Sequence, residues 1–367
     1  MKSRIQEIFS TVLDPRVSGR CSHKLSDILM LALCTLIAEG EDFEDMVLFG
    51  KEKETLLREF LELPNGIPSH DTINRVFQIV EYQALDSCLR LYGKELLDII
   101  AEKQICIDGK KLRGVTPTKR GNQGLYILNA WVSENRFCVG QTKVDDKSNE
   151  ITAIPVLIKD LDIKDSIVSI DAIGCQKEIA QAIRDKEAHY LLSVKKNQEN
   201  LFEEVSESFT HHNSISMSQK WEYAHGRFET RQCFIQSAPM VLSPSLLGEW
   251  ADIKTTVKIV AQRTIKGVMK EEVRYYISSD DTTKPLYFNN LVKGHWGIEN
   301  HLHWHLDVTF SEDACRARTR NAPINLSTIR KIALHMIGQA KGKISLKKKR
   351  YKAALNDDFL LEVIGFS

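Results

Sequence analysis

Apolar residues recur at helical spacing through roughly the first hundred positions, and the pattern then switches to the short runs and alternation of strands. The longest largely apolar run, Leu29 to Ala38, is too short to span a bilayer and reads as a core helix, with Ser26 and Asp27 offering a cap. A second helix is expected over 51–61. Pro64-Asn-Gly-Ile-Pro-Ser69 then makes a turn, and Ser69 caps a helix running from His70 to about Val80. Ile73, Val76, Phe77 and Val80 share one face of that helix, which leaves His70, Asn74, Arg75 and Gln78 more exposed. A helix, a short turn and a helix with exposed polar residues resembles a helix-turn-helix, with Arg75 as a DNA contact; plain bundles use the same turn. A longer helix over 83–103 closes this region.

From Gln104 the period is that of strands: 104–108, then 125–133 and 136–144 joined at Glu134-Asn135, then 166–171 and 188–195. Helices are expected at 151–161 and 176–186, so the order is β-β-β-α-β-α-β. This predicts an α/β protein with a ribonuclease-H-like mixed sheet, preceded by an all-helical N-terminal part. A dinucleotide-binding fold would need a Gly-rich turn after the first strand, and Ile107-Asp-Gly-Lys-Lys-Leu-Arg-Gly114 lacks it. Residues about 202–284 break the alternation with strands at 228–235, 255–262 and 271–278, a β-rich insertion. A helix at 326–337 follows. The expected division is a helical N-terminal domain at 1–103, a catalytic domain at 104–340 and a basic C-terminal tail at 341–367.

In this frame two carboxylates stand at strand ends: Asp108 after Gln104-Ile-Cys-Ile, and Asp171 after Ser166-Ile-Val-Ser-Ile. A buried carboxylate there is costly unless something positive meets it. Glu299, in His295-Trp-Gly-Ile-Glu-Asn-His301, is the third acid. Two strand-end acids and a helical Glu can hold a pair of divalent cations, Mg2+ with Mn2+ as a substitute, and drive phosphoryl transfer on DNA. Taken singly they have plainer readings: a turn at Asp108-Gly109, a helix cap at Asp171, an exposed helix position at Glu299. On a helix His303 and Asp307 follow Glu299 on one face, as further support for the acids or a phosphate contact. On a strand, His301, His303 and His305 would instead gather around zinc or iron.

Charge refines the picture only locally. The net charge is +1, so any nucleic-acid surface depends on clustering. Lys110, Lys111 and Arg113 beside the first acid, Lys195 and Lys196 after the last core strand, and Arg316, Arg318 and Arg320 are candidate phosphate contacts, or ordinary solubilising charge. Lys341, Lys343, Lys347, Lys348, Lys349, Arg350 and Lys352 concentrate charge in the tail. The eight cysteines form no Cys-x-x-Cys pair, and the start has no signal-peptide hydrophobic region; a cytoplasmic, nucleoid-associated protein without a membrane partner is expected.

Asp14-Pro-Arg16, Gly66-Ile-Pro-Ser-His-Asp-Thr72, Ile107-Asp-Gly-Lys110, Lys147-Ser-Asn-Glu-Ile-Thr-Ala-Ile-Pro155, Ile170-Asp-Ala-Ile-Gly-Cys-Gln-Lys-Glu-Ile179 and His295-Trp-Gly-Ile-Glu-Asn300 run nearly end to end. With these motifs the chain resembles the H-repeat-associated, Rhs-linked transposases of bacterial insertion sequences, of the DDE class. The resemblance implies that Asp108, Asp171 and Glu299 are the DDE acids. It further implies a protein that binds terminal inverted repeats and target DNA as a homodimer, cuts, and transfers strands. Related transposases carry Tyr, Arg and Lys around the Glu, where this chain has Val292, His295 and Leu306; Lys293, His295 and His303 are the candidate substitutes at phosphates. The rival expectations are a metal-dependent nuclease without strand transfer and a catalytically inactive DNA-binding relic.

Overall fold

A computed structural model describes residues 3–98, 103–115, 124–144, 149–211, 216–224, 227–265 and 268–366. Helix Leu25–Ile37 is buried along nearly its whole length, as expected of a helix apolar on every side. It starts one residue before the expected cap. Lys24 precedes it without a side-chain cap, and Asp27 lies inside, buried and accepting the Leu63 N–H at 3.1 Å. The helix expected over 51–61 is instead split: Phe43–Glu52 ends, and Glu54–Leu57 starts after Lys53. Helix His70–Ile79 is capped by Ser69 and closed by Asn325, whose amide donates to the carbonyls of Phe77 and Val80 at 2.9 and 2.8 Å.

Helix Ala322–Gln339 packs against Leu25–Ile37, His70–Ile79 and Tyr82–Asp98, so the N-terminal helices and the C-terminal part share one hydrophobic core from Ile5 to Ile364. The segment expected as a basic tail forms helices Leu346–Leu355 and Asp357–Val363. Lys349 and Arg350 are buried there, and Arg350 donates to carbonyls of Leu36, Gly40 and Thr309. Backbone oxygens, not phosphates, meet that charge. Among the described residues no helix is long and apolar enough to cross a membrane.

Among the described residues the sheet has nine strands: β1 (Lys103–Leu112), β2 (Leu125–Val132), β3 (Phe137–Val144), β4 (Ser166–Ile170), β5 (His189–Val194), β6 (Ser216–Ala224), β7 (Arg227–Ser237), β8 (Thr255–Ile265) and β9 (Val268–Ser278). Their order is β3-β2-β1-β4-β5-β9-β8-β7-β6. The first five make the ribonuclease-H-like half, with β1, β4 and β5 parallel and β2 antiparallel to both its neighbours, β1 and β3. The β-rich segment does not form a separate sheet. β9 pairs antiparallel with β5 and continues the same sheet outward through β8 and β7 to the edge strand β6.

Side chains of alternate residues on one face of β1 meet a single helical stretch. Gln104 donates to the Leu291 carbonyl at 2.7 Å and to Ser169 Oγ at 2.9 Å. Cys106 faces the Gly294 carbonyl at 3.7 Å, and Lys110 reaches Asp307 and Glu312. Gly294 sits on helix Pro285–His295 at the closest approach, where an added Cβ would lie 2.1 Å from Gln104 Oε1. Gly294→Ala should therefore cost about 1–3 kcal/mol by overpacking. Gly248→Ala, on helix Pro244–Glu249 with nothing within 4 Å of the new Cβ, should be neutral or slightly stabilising. Urea denaturation of both variants measures the contrast.

Candidate functional site

β1 is longer than expected. Its pairing with β2 continues to Leu112, so Asp108 lies within the strand and not at its end. The parallel pairing with β4 stops at Ile107↔Ile170. Asp108 and Asp171 are thus the next residues along two neighbouring parallel strands, Asp108 still paired to β2 and Asp171 just past the end of β4. The Asp171 carboxylate accepts the Ile173 N–H at 3.1 Å and caps the turn Ala172–Gly174, a local version of the cap anticipated farther on.

Glu299 belongs to a π-helical stretch, Ile298–His303, between helix Pro285–His295 and helix Trp304–Val308. Such wide turns are rare and tend to occur where a helix re-aims side chains. Here Glu299 Oε2 is 2.9 Å from His303 Nδ1, which is also 3.7 Å from Asp108 Oδ2. Ligand atoms of Asp108, Glu299 and His303 all lie within 4.8 Å of one another. Asp171 stands outside that tight cluster but lines the same cavity of about 370 Å3, together with Asp108 and Glu299.

Crowding marks the electrostatics. Burial, with the negative charges of Asp171 and Glu299, pushes the Asp108 carboxyl up to about 6 against the pull of His303 and the Gly109 N–H. The hydrogen bond from His303 holds Glu299 below its ordinary value, against its own partial burial. A partly buried set of carboxylate oxygens and an imidazole nitrogen, with negative charge in excess, is chemically suited to a divalent cation. The three histidines of this stretch separate: His301 stacks on Trp131 with ring centroids 6.2 Å apart, His305 Nδ1 lies 3.0 Å from Thr309 Oγ1, and only His303 of the three reaches the acids. The segment is helical, so the strand geometry that a histidine zinc site needed is absent.

The basic candidates divide by environment. Arg75, Lys111, Arg113 and Lys196 are exposed, Arg113 beside Asp313 at 3.5 Å. Lys110 is not at the surface: it is buried between Asp307 and Glu312. Asp307 accordingly serves β1 and not the acids. Lys293 pairs with Glu222 of β6. His295 is half-buried with Nδ1 3.1 Å from Ser169 Oγ, and desolvation lowers its pKa to about 4, so it is neutral at pH 7. Arg318 donates to the Gly114 carbonyl at 2.9 Å.

One cavity residue had no sequence signal. Arg274 of β9 lines the site, held by Glu272 at 2.7 Å, with its guanidinium 4.4 Å from the centroid of the Trp296 ring. Only the pairing of β9 with β5 brings it there.

Comparison with known proteins identifies the family. The family described as "Transposase DDE domain" matches residues 101–336, and "DDE_Tnp_1-associated" matches residues 6–92. "Putative transposase YncI" of Escherichia coli O157:H7 is 37% identical, covering 98% of this chain and 94% of its own. "H repeat-associated putative transposase YhhI" of Escherichia coli strain K12 is 36% identical over 99% of this chain and 98% of its own. "Putative protein YbfL" of the same strain is 36% identical with the same coverage. The chain belongs to the DDE transposase family, alongside the H repeat-associated relatives.

Proposed function

We propose that this transposase binds the inverted-repeat ends of its own element, cleaves phosphodiester bonds there and joins the freed 3′-hydroxyl to target DNA. The observation that carries this reading is the convergence of Asp108, Asp171 and Glu299 on one cavity from β1, β4 and the 298–303 turn. These three acids would hold the divalent cations, Mg2+ or Mn2+, which when bound supply charge neutralisation at phosphorus and an activated hydroxyl.

The protein's own groups set the geometry. Asp108, which feels the negative charges of both Asp171 and Glu299, must give up its proton to hold a cation. His303 fixes the Glu299 carboxylate, and Asp171 is fixed by the Ile173 N–H. Lys195 and Arg274, also in the cavity wall, would meet phosphate oxygens. The attacking oxygen is water in cleavage and the 3′-hydroxyl in joining. In each step a new P–O bond forms in line with the P–O bond that breaks, and the leaving oxygen takes up a proton. Exposed Arg75, Lys111, Arg113 and Lys196 would contact the DNA backbone, with Lys293 released from Glu222 to do so. Joining two ends calls for a homodimer on DNA.

Purified full-length protein, incubated with the DNA that flanks its gene and Mg2+ or Mn2+, should give nicked and joined products. Asp171→Asn should lose both by roughly 10^2–10^3-fold, the several kcal/mol that cation-assisted charge stabilisation provides. Nicking without joining would make the chain a nuclease. Binding without cutting under either metal would make it a relic, and cutting that survives Asp171→Asn would displace the site.

The raised Asp108 pKa gives a second test. The native state holds this proton more tightly than an unfolded chain with the ordinary value of 3.8, so that contribution to stability is complete below 3.8 and is lost as pH rises through about 6. A cation competes with the same proton. Calorimetric titration should therefore show Mn2+ affinity climbing between about pH 5 and 7 and flattening above; a pH-independent affinity would contradict the assignment of Asp108.

A further inference from the structure

His303 is 3% exposed, yet its ring is directed at two carboxylates of the site and not into the core. Its Nδ1 lies 2.9 Å from Glu299 Oε2 and 3.7 Å from Asp108 Oδ2. Neighbouring ligands of an octahedral cation with bonds near 2.1 Å stand about 3 Å apart. The first separation already has that value, and the second needs only a small closing movement.

The other side of the ring carries an independent sign. His303 Nε2 faces the side-chain nitrogen of Asn129 at 3.3 Å, while Asn129 Oδ1 is buried with no hydrogen-bond partner and the residue is only 1% exposed. That orphan oxygen is costly where it stands. A half-turn of the amide would bring Oδ1 to Nε2, where it accepts a hydrogen bond from Nε2–H. With Nε2 keeping its proton, a cation that replaced the Nδ1 proton now shared with Glu299 would meet the Nδ1 lone pair aimed between the acids. An oxygen that accepts the other ring N–H orients a histidine ligand in this way. Asn129 is also the cross-strand partner of Asp108, so one pair of residues on β1 and β2 supplies a carboxylate ligand and the orienting group for an imidazole.

Resting on the cation reading above, we infer that His303 is itself a ligand, through Nδ1, of the cation shared by Asp108 and Glu299, oriented by Asn129. The site is then a mixed nitrogen–oxygen site, and the nitrogen ligand favours Mn2+ over the harder Mg2+ more than an all-oxygen set would.

Pulsed electron paramagnetic resonance of Mn2+ bound to the full-length protein reads the ligand atom directly. Wild type should show coupling to a directly bound 14N nucleus, changing to the 15N pattern when the protein is labelled with 15N-histidine. His303→Gln should still bind Mn2+ but without that coupling. Asn129→Leu, which removes the orienting oxygen and keeps the ring, should weaken Mn2+ binding about 10–100-fold. It also keeps the inference testable if His303→Gln does not fold. Mn2+ bound to wild type with no nitrogen coupling would overturn the inference while leaving the carboxylate site standing. Coupling that persists in His303→Gln, or an unchanged affinity in Asn129→Leu, would overturn it as well. Failure of wild type to bind Mn2+ at all would remove both readings.

Discussion

The buried charge of Lys110 is the constraint on which the rest of the site depends. Its ammonium is almost fully removed from water between Asp307 and the still more deeply buried Glu312. Ionising three groups there is tolerable because Lys110 pairs with both carboxylates, although burial still holds Asp307 above its ordinary value. Burial alone would raise the Glu312 pKa, but Lys110 nearby, with Lys331 and Arg330, brings it down to about 2. Such a group adds stability above its ordinary value of 4.5 that fades only as pH falls toward about 2. Removing one partner of such an arrangement typically costs about 3–5 kcal/mol, because a buried charge is left alone.

This ion triad pins the far end of a helical stretch whose near end is held by Gln104 and Gly294. Between the two anchors lies the π-helical turn with Glu299 and His303. Asp108 sits between Cys106 and Lys110 on the same face of β1, so the register that seats Lys110 also sets the height of Asp108 against Glu299. The charge of Lys110 is committed to holding the frame, while burial, with the neighbouring negative charges of Asp171 and Glu299, raises Asp108. Stability in one half of β1 supports an electrostatic cost in the other.

Much of the frame was legible in the sequence because local signals agreed with the fold. Apolar runs ending in Asp108 and Asp171 marked neighbouring strands, and the order of strands and helices implied the ribonuclease-H-like half of the sheet. What stayed hidden was decided at long range. β6 was missed because its residues, Ser216 to Ala224, alternate on an exposed sheet edge and lack an apolar run. Arg274 entered the cavity through a strand pairing that no local pattern encodes. Lys110 looked like solubilising or phosphate-binding charge, and its burial follows from carboxylates 197 and 202 residues away. Arg350 was likewise placed in a tail, yet its partners are carbonyls from distant helices and turns. The spacing of Glu299 and His303 was visible, but the wide turn that aims both at Asp108 was not.

Hydrogen exchange followed by mass spectrometry on Lys110→Met tests the dependence of the site on this anchor most directly. Residues 298–308 should exchange faster than in wild type while helix Leu25–Ile37 keeps its protection, and Mn2+ should slow exchange less in the variant than in wild type. Unchanged protection across 298–308 in a folded Lys110→Met protein would mean that the acids are positioned without the Lys110 triad.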